Sequence, residues 1–160
     1  MSFDTDVVLT VNGDNYAVRV EPRRTLADTL RDQCGLTGTN SGCEHGICGS
    51  CTVLVDDEPV RSCLMFAVQA QGRKIRTVEG LENGGKLHPL QRAFIEHHAL
   101  QCGFCTSGFL MLAVSILERH PNIADAELRE ALSANLCRCT GYKNIMKAVR
   151  AAAVEMRGAR

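Results

Sequence analysis

The sequence of 160 residues balances 18 basic against 18 acidic side chains, and this zero net charge gives no electrostatic footprint for nucleic acid. It has no apolar run of about eighteen residues, so no membrane span is expected. Its first residues lack the basic and apolar regions of an export signal. We therefore expect a cytoplasmic protein, where cysteines are reduced by default, yet the chain holds nine of them.

The first half of the chain is predicted to be rich in β-strands. Short alternating segments bounded by turn residues are the candidate strands and hairpins, at 7–12, 16–21, 51–62 and 74–79. Thr25 is a suitable N-cap for a short helix that carries Leu26 and Leu30 on one face. The second hairpin is expected to turn at Asp56 and Asp57.

The cysteines of this half suggest a metal centre. Nine is an odd number, whereas a disulfide scaffold is normally shorter, secreted and even in its cysteine count. We interpret Cys34 as a small buried apolar residue, which leaves two groups of four. The first group is Cys43, Cys48, Cys51 and Cys63. Its C-x4-C-x2-C run with a later cysteine is the spacing of plant-type 2Fe-2S ferredoxins.

Zinc held by four thiolates is the main alternative for this first group. Such zinc sites usually use two C-x-x-C pairs, and this half of the chain offers one. The glycine-rich loop from Gly35 to Gly49 favours a cluster, because glycines let the backbone approach and wrap around two bridged irons.

The second half of the chain is predicted to be a small helical bundle. A polar, glycine-rich joint at 80–86 separates it from the first half, so we expect domains at 1–80 and 81–160. Four amphipathic segments with short connections are the candidate helices, at about 88–98, 107–119, 125–135 and 142–157.

The second cysteine group lies in two loops that an up-and-down bundle places at the same end. The group consists of Cys102, Cys105, Cys137 and Cys139. Taken alone, its C-x-x-C and C-x-C pairs suit zinc as well as a cluster. The ferredoxin-like loop upstream favours the cluster, since two neighbouring clusters make an electron path.

Three segments, GCEHGICGSCTVLVD, QCGFCTSGF and NLCRCTGY, occur in this order along the chain. Together they resemble the iron–sulfur subunit of the molybdenum hydroxylases, the family of xanthine oxidase, aldehyde oxidase, carbon monoxide dehydrogenase and 4-hydroxybenzoyl-CoA reductase. The resemblance covers essentially the whole chain. It implies an α+β fold, with an N-terminal β-grasp plant-type 2Fe-2S ferredoxin domain followed by a C-terminal four-helix-bundle 2Fe-2S domain.

The resemblance also implies roles for individual residues. The ligands of an outer cluster, which faces FAD, would be Cys43, Cys48, Cys51 and Cys63. The ligands of an inner cluster, which faces molybdopterin, would be Cys102, Cys105, Cys137 and Cys139. Gln101 and Cys139 would contact the pterin. Ser107 departs from many relatives, which carry proline there, and serine is tolerated at this first turn of a helix.

The implied function is electron transfer inside a larger oxidoreductase, with no catalytic residue in this chain. The implied partners are a large molybdopterin-binding subunit and a medium FAD-binding subunit, assembled as a dimer of heterotrimers. A zinc-binding interaction module and a free-standing electron carrier are the two other hypotheses. A free-standing electron carrier would not need the helical half of the chain, which counts against the last hypothesis. The substrate of the complex cannot be read from this sequence, because its pocket belongs to another subunit.

Overall fold

The computed structural model describes residues 3–158, and its first half is a five-stranded mixed sheet with a helix packed on it. The strands and the helix are β1 (Thr5–Val11), β2 (Asp14–Val20), α1 (Leu26–Asp32), β3 (Thr52–Val55), β4 (Glu58–Arg61) and β5 (Lys74–Arg76). The strand order is β2-β1-β5-β3-β4. β1 and β5 run parallel, whereas the other neighbouring strands are antiparallel.

The sheet and α1 enclose the first apolar core. Val7, Leu9 and Val11 alternate along β1 and are buried, as the period of a half-buried strand requires. Leu26 and Leu30 of α1 pack against them. The hydroxyl of Thr25 accepts a hydrogen bond from the backbone N–H of Asp28 at 3.1 Å, so the predicted N-cap is confirmed.

The hairpin between β3 and β4 turns where the sequence predicts it. Asp56 and Asp57 have φ angles of 51° and 65°. Two consecutive left-handed residues are typical of a type I′ turn, whose twist matches that of the flanking strands. β3 is buried on both faces, because Val53 and Val55 face the first core while Leu54 joins the second.

The second half is a bundle of four helices, α2 (Pro89–Glu96), α3 (Thr106–Arg119), α4 (Asp125–Leu132) and α5 (Lys143–Gly158). α3 is buried from Ser107 to Leu117 because it packs on the other helices and also on the sheet. The predicted α+β fold, a β-grasp ferredoxin domain followed by a four-helix bundle, is confirmed. Among the described residues, none of the helices combines the length and apolarity that crossing a bilayer requires.

The two halves are joined by close packing and by ion pairs. Arg76 of β5 donates two hydrogen bonds to the carboxylate of Glu118 on α3, at 2.9 and 3.0 Å. Arg119 makes a similar pair with Glu58 at 2.7 Å. Both pairs lie at the end of α3, whereas its beginning lies beside the loop that precedes β3, where Gly108 approaches Gly49.

Candidate metal centres

The loop between α1 and β3 holds the first thiols of the outer group. Glu44, Gly46 and Gly49 have positive φ angles, which fold the loop back on itself. The backbone N–H of Cys48 points at the Cys43 sulfur, 3.3 Å away. Hydrogen bonds from the amides of Cys48, His45 and Ile47 lower the pKa of Cys43 to about 6. The loop thus stabilises a thiolate at neutral pH.

The other two outer thiols, Cys51 and Cys63, lie deeper in the protein. Both are buried beside Ala27 of α1. The backbone carbonyl of Cys51 accepts hydrogen bonds from the hydroxyl and the amide of Ser62, at 2.7 and 3.3 Å. Burial, and next the adjacent Cys51 thiol, raise the pKa of Cys63 to about 11. Two adjacent buried thiols can serve as a pair of metal ligands, because metal binding deprotonates them.

The four inner thiols stand as two neighbouring pairs at one end of the bundle. The sulfurs of Cys102 and Cys139 lie 3.5 Å apart. Cys105 precedes α3 as its N-cap residue, and its thiol lies beside that of Cys137. Burial, and next the Cys137 thiol, raise the pKa of Cys105 to about 12. The structure therefore brings together the two loops that the sequence predicts to meet.

Cys137 is held by two residues that follow it. The hydroxyl of Thr140 donates to the Cys137 sulfur at 3.1 Å, and the Tyr142 hydroxyl accepts the Cys137 amide proton at 2.9 Å. Burial acts to raise the pKa of Cys137, but hydrogen bonds with Thr140, Cys139 and Cys105 together outweigh it and leave this pKa below its ordinary value. Each group thus contains one thiol whose pKa is lowered by hydrogen bonds.

The paired thiols match the ligand requirement of a two-iron cluster. A 2Fe-2S cluster takes two thiolates on each iron, and the inner thiols are already paired in this way. The donor chemistry and the loop geometry fit such a cluster in both groups.

Residues 134–136, just before Cys137, connect the two groups. The backbone N–H of Leu136 donates to the carbonyl of Cys48 at 2.9 Å. The side chain of Asn135 donates to the carbonyl of Gly49 at 3.3 Å, and Arg61 donates to the carbonyl of Ala134 at 2.7 Å. One hydrogen bond thus connects the backbone of the outer cysteine Cys48 to Leu136, which directly precedes the inner cysteine Cys137.

The inner group has an open side. Gln101, Cys102 and Cys139 are exposed, whereas Cys105 and Cys137 are half-buried. Large apolar side chains are exposed close to both groups. Phe104 lies between the first two inner cysteines, and Ile47 precedes Cys48 in the outer loop. Such exposed apolar side chains are typical of surfaces that contact other proteins.

Several of these supporting residues were missed by sequence reasoning. Gly108 lies inside α3 near its beginning, where glycine costs about 1 kcal/mol relative to alanine, and this signals a packing role. An ideal Cβ at Gly108 would meet the backbone of Gly49 and Ser50. Asn135 and Thr140 flank the C-x-C pair. The contact of Asn135 with Gly49 depends on the docking of the two halves, whereas Thr140 contacts Cys137 within the same loop. Cys34 packs against the first core but is half-buried, whereas the sequence predicts a buried residue.

Comparisons with known proteins agree with this architecture. Residues 9–77 match the 2Fe-2S iron-sulfur cluster binding domain family, and residues 77–150 match the 2Fe-2S binding domain family. The chain is similar to the 6-hydroxypseudooxynicotine dehydrogenase complex subunit beta of Paenarthrobacter nicotinovorans, with 57% identity over 143 residues that cover 89% of each chain. It is 55% identical over 147 residues to the caffeine dehydrogenase subunit gamma of a Pseudomonas species, covering 90% of this chain and 88% of that subunit.

A solved structure extends the similarity to three dimensions. Quinoline 2-oxidoreductase from Pseudomonas putida 86 contains a chain that superposes with a TM-score of 0.93 and 53% sequence identity, covering 98% of both chains. The chain belongs to the iron–sulfur subunits of the molybdenum hydroxylase family, and the resemblance found in the three motifs is confirmed. It is an electron-transfer subunit of an oxidoreductase complex and carries two 2Fe-2S binding domains.

Proposed function

We propose that this chain relays electrons from a molybdenum–pterin cofactor in a large partner subunit to FAD in a medium partner subunit. The observation that carries the proposal is the pair of four-thiol groups, one in each domain, joined by the hydrogen bond from Leu136 to Cys48. A bound 2Fe-2S cluster supplies one-electron redox chemistry at each group. The protein contributes the ligands, the hydrogen bonds to sulfur and the burial that tune each reduction potential.

The proposed inner ligands are the two pairs already in contact. Cys102 and Cys139 would share one iron and Cys105 and Cys137 the other, since two thiolates per iron are needed. Thr140 would retain its hydrogen bond to the Cys137 sulfur and lower the basicity of that ligand. A hydrogen bond to a ligating sulfur stabilises the more negative, reduced state and so raises the potential.

The proposed outer ligands are Cys43 and Cys48 in the glycine-rich loop, and Cys51 and Cys63 beneath it. The amide of Cys48 already points at the Cys43 sulfur, so the loop can accept negative charge with little rearrangement. Burial of Cys51 and Cys63 keeps water from that side. Ile47 and Leu64, exposed next to these ligands, provide the apolar surface against which the FAD-binding subunit would pack.

The pterin contact is proposed for Gln101 and Cys139. Both are exposed, and both lie on the open side of the inner group. An amide side chain at Gln101 can both donate and accept hydrogen bonds, which suits the alternating donors and acceptors of a pterin ring edge. Electrons would then enter this chain at Cys139.

The larger assembly follows as part of the same proposal. We propose that the chain binds its large and medium partner subunits as a dimer of heterotrimers in the cytoplasm, where all nine cysteines can stay free of disulfides. We also propose that the two domains divide at residues 80 and 81. Limited proteolysis of the isolated chain would test that boundary, because cleavage concentrates in exposed connecting segments.

Cysteine variants of the co-purified complex test the ligand assignment. Changing Cys102→Ser is expected to remove one of two electron paramagnetic resonance signals and leave the other, while Cys43→Ser removes the opposite signal. The matched control is Cys34→Ala, since this ninth thiol packs in the first core and has no ligand role. It is expected to leave both signals in place.

Iron, sulfide and zinc analysis of the same preparations provides the decisive contrary outcome. Zinc without acid-labile sulfide would reject the cluster assignment in favour of a structural zinc module. A stable isolated chain that never associates with larger subunits would instead favour a free-standing carrier.

A further inference from the structure

We propose that Asn135 is a positioning residue for electron transfer between the two cluster sites. It fixes the segment before Cys137 against the loop that holds Cys48. This inference rests on the proposed function, and it assigns to a side chain that binds no metal the task of setting the separation and the contact between the two ligand loops.

The first observation is that Asn135 is buried at the junction of the two domains. Its relative exposure is 1%, and its side-chain N–H donates to the carbonyl of Gly49, 86 residues earlier in the chain. Its amide oxygen has no hydrogen-bond partner among the described residues. Burying an amide that is only partly satisfied is unfavourable. An apolar side chain would avoid this desolvation cost. What asparagine adds at this position is its hydrogen bond to Gly49.

The second observation is that Gly49 is shaped to receive this side chain. Its φ of +77° lies in the left-handed region, and an ideal Cβ would stand 2.5 Å from Cγ of Asn135. Gly108 of α3 also lies close to the backbone of Gly49. Two segments of the helical domain, α3 and the segment before Cys137, therefore contact Gly49, which directly follows the outer ligand Cys48.

The third observation is that the neighbours of Asn135 bind to the same region. Leu136 donates its amide proton to Cys48, and Ala134 accepts from Arg61, which also contacts Thr52 of β3. Three consecutive residues each make one hydrogen bond to the ferredoxin domain. Electronic coupling falls steeply across a through-space gap. The hydrogen bond from Leu136 to Cys48 provides a short contact in place of such a gap, and so favours electron transfer between the two sites. Asn135, in the middle, holds the other two in register.

Asn135→Ala in the co-purified holocomplex tests this inference. Both 2Fe-2S signals are expected to remain, because no ligand is changed. The magnetic splitting between the two reduced clusters is expected to weaken. The Leu136 amide is expected to exchange with solvent about fivefold faster, the ratio that corresponds to losing about 1 kcal/mol from one hydrogen bond.

Asn144→Ala is the matched control, since Asn144 donates the same kind of bond, to the carbonyl of His98, within the helical domain. It should change neither the splitting nor the Leu136 exchange. If Asn135→Ala prevents folding, Asn135→Leu is tested in its place, since leucine keeps a similar side-chain volume but cannot donate to Gly49. Its control is Asn144→Leu, which removes the bond to His98.

The outcomes separate this inference from the proposed function. Unchanged splitting and unchanged Leu136 exchange in a folded Asn135→Ala or Asn135→Leu variant would overturn the positioning role. Absence of two cluster signals in the unmodified complex would instead overturn the relay itself. Leu136 exchange would then still report whether Asn135 holds the segment.

Discussion

Replacing Gly108 with alanine places one methyl group where α3 meets the backbone of the loop that precedes β3. Gly108 lies in the first turns of α3, and an ideal Cβ would stand 2.9 Å from Cα of Ser50 and 3.0 Å from the carbonyl carbon of Gly49, with the Gly49 oxygen closer still. These are backbone atoms, so no side-chain rotation can relieve the overlap. α3 must move away from the loop that precedes β3.

The cost follows from two opposing effects. Overpacking of a well-packed core costs about 1 to 3 kcal/mol, and a clash with backbone atoms belongs at the upper end of that range. Alanine regains about 1 kcal/mol of helix propensity relative to glycine. The net loss is therefore about 2 kcal/mol, which for a chain of this size lowers the melting temperature by roughly 4 to 8 °C.

Thermal denaturation of the purified chain, followed by circular dichroism, measures this loss. The matched control is Gly158→Ala in α5, where nothing lies within 4 Å of the added Cβ. The control should unfold at the unmodified temperature or slightly above it. A Gly108→Ala chain as stable as the control would show that α3 does not pack on the Gly49 backbone as closely as the structure indicates.

Two further predictions concern the ends of helices. Thr25→Ala removes the N-cap of α1 and should cost about 1 kcal/mol in urea denaturation, whereas Thr25→Ser, which keeps the hydroxyl, should cost much less; equal losses would contradict the capping role. His88 caps α2 through Nδ1, and burial lowers the pKa of this half-buried histidine. The unfolded chain therefore binds the proton first, so the stabilisation is complete above about pH 6.5 and is lost as the pH falls below it. His88→Asn keeps a cap without titrating there, and its stability should fall less between pH 7 and pH 5; parallel pH profiles would contradict this account.

The sequence by itself determined the elements whose causes are local. The turn at Asp56 and Asp57, the cap at Thr25 and the alternation of β1 depend on neighbouring residues, and each forms as predicted. The C-x4-C-x2-C run follows from the same logic, because its three cysteines lie close together along the chain. Motif order along the chain then sufficed to indicate the family.

Two elements end earlier than the sequence predicts. The last strand was expected at 74–79, but β5 ends at Arg76, because the amide of Thr77 donates to the side chain of Asn12 instead of continuing the ladder. The third bundle helix was expected to reach residue 135, but α4 ends at Leu132. Residues 134–136 leave the helix and bind the ferredoxin domain.

Only the tertiary structure decided how the two groups of thiols relate to each other. The pairing of Cys102 with Cys139, the bond from Leu136 to Cys48 and the contact between Asn135 and Gly49 join residues far apart in sequence. Local propensity carries no information about such contacts, since they arise when two separately patterned domains dock. Cysteine spacing indicates each candidate cluster site, whereas the docked backbone determines which residues lie between the two sites.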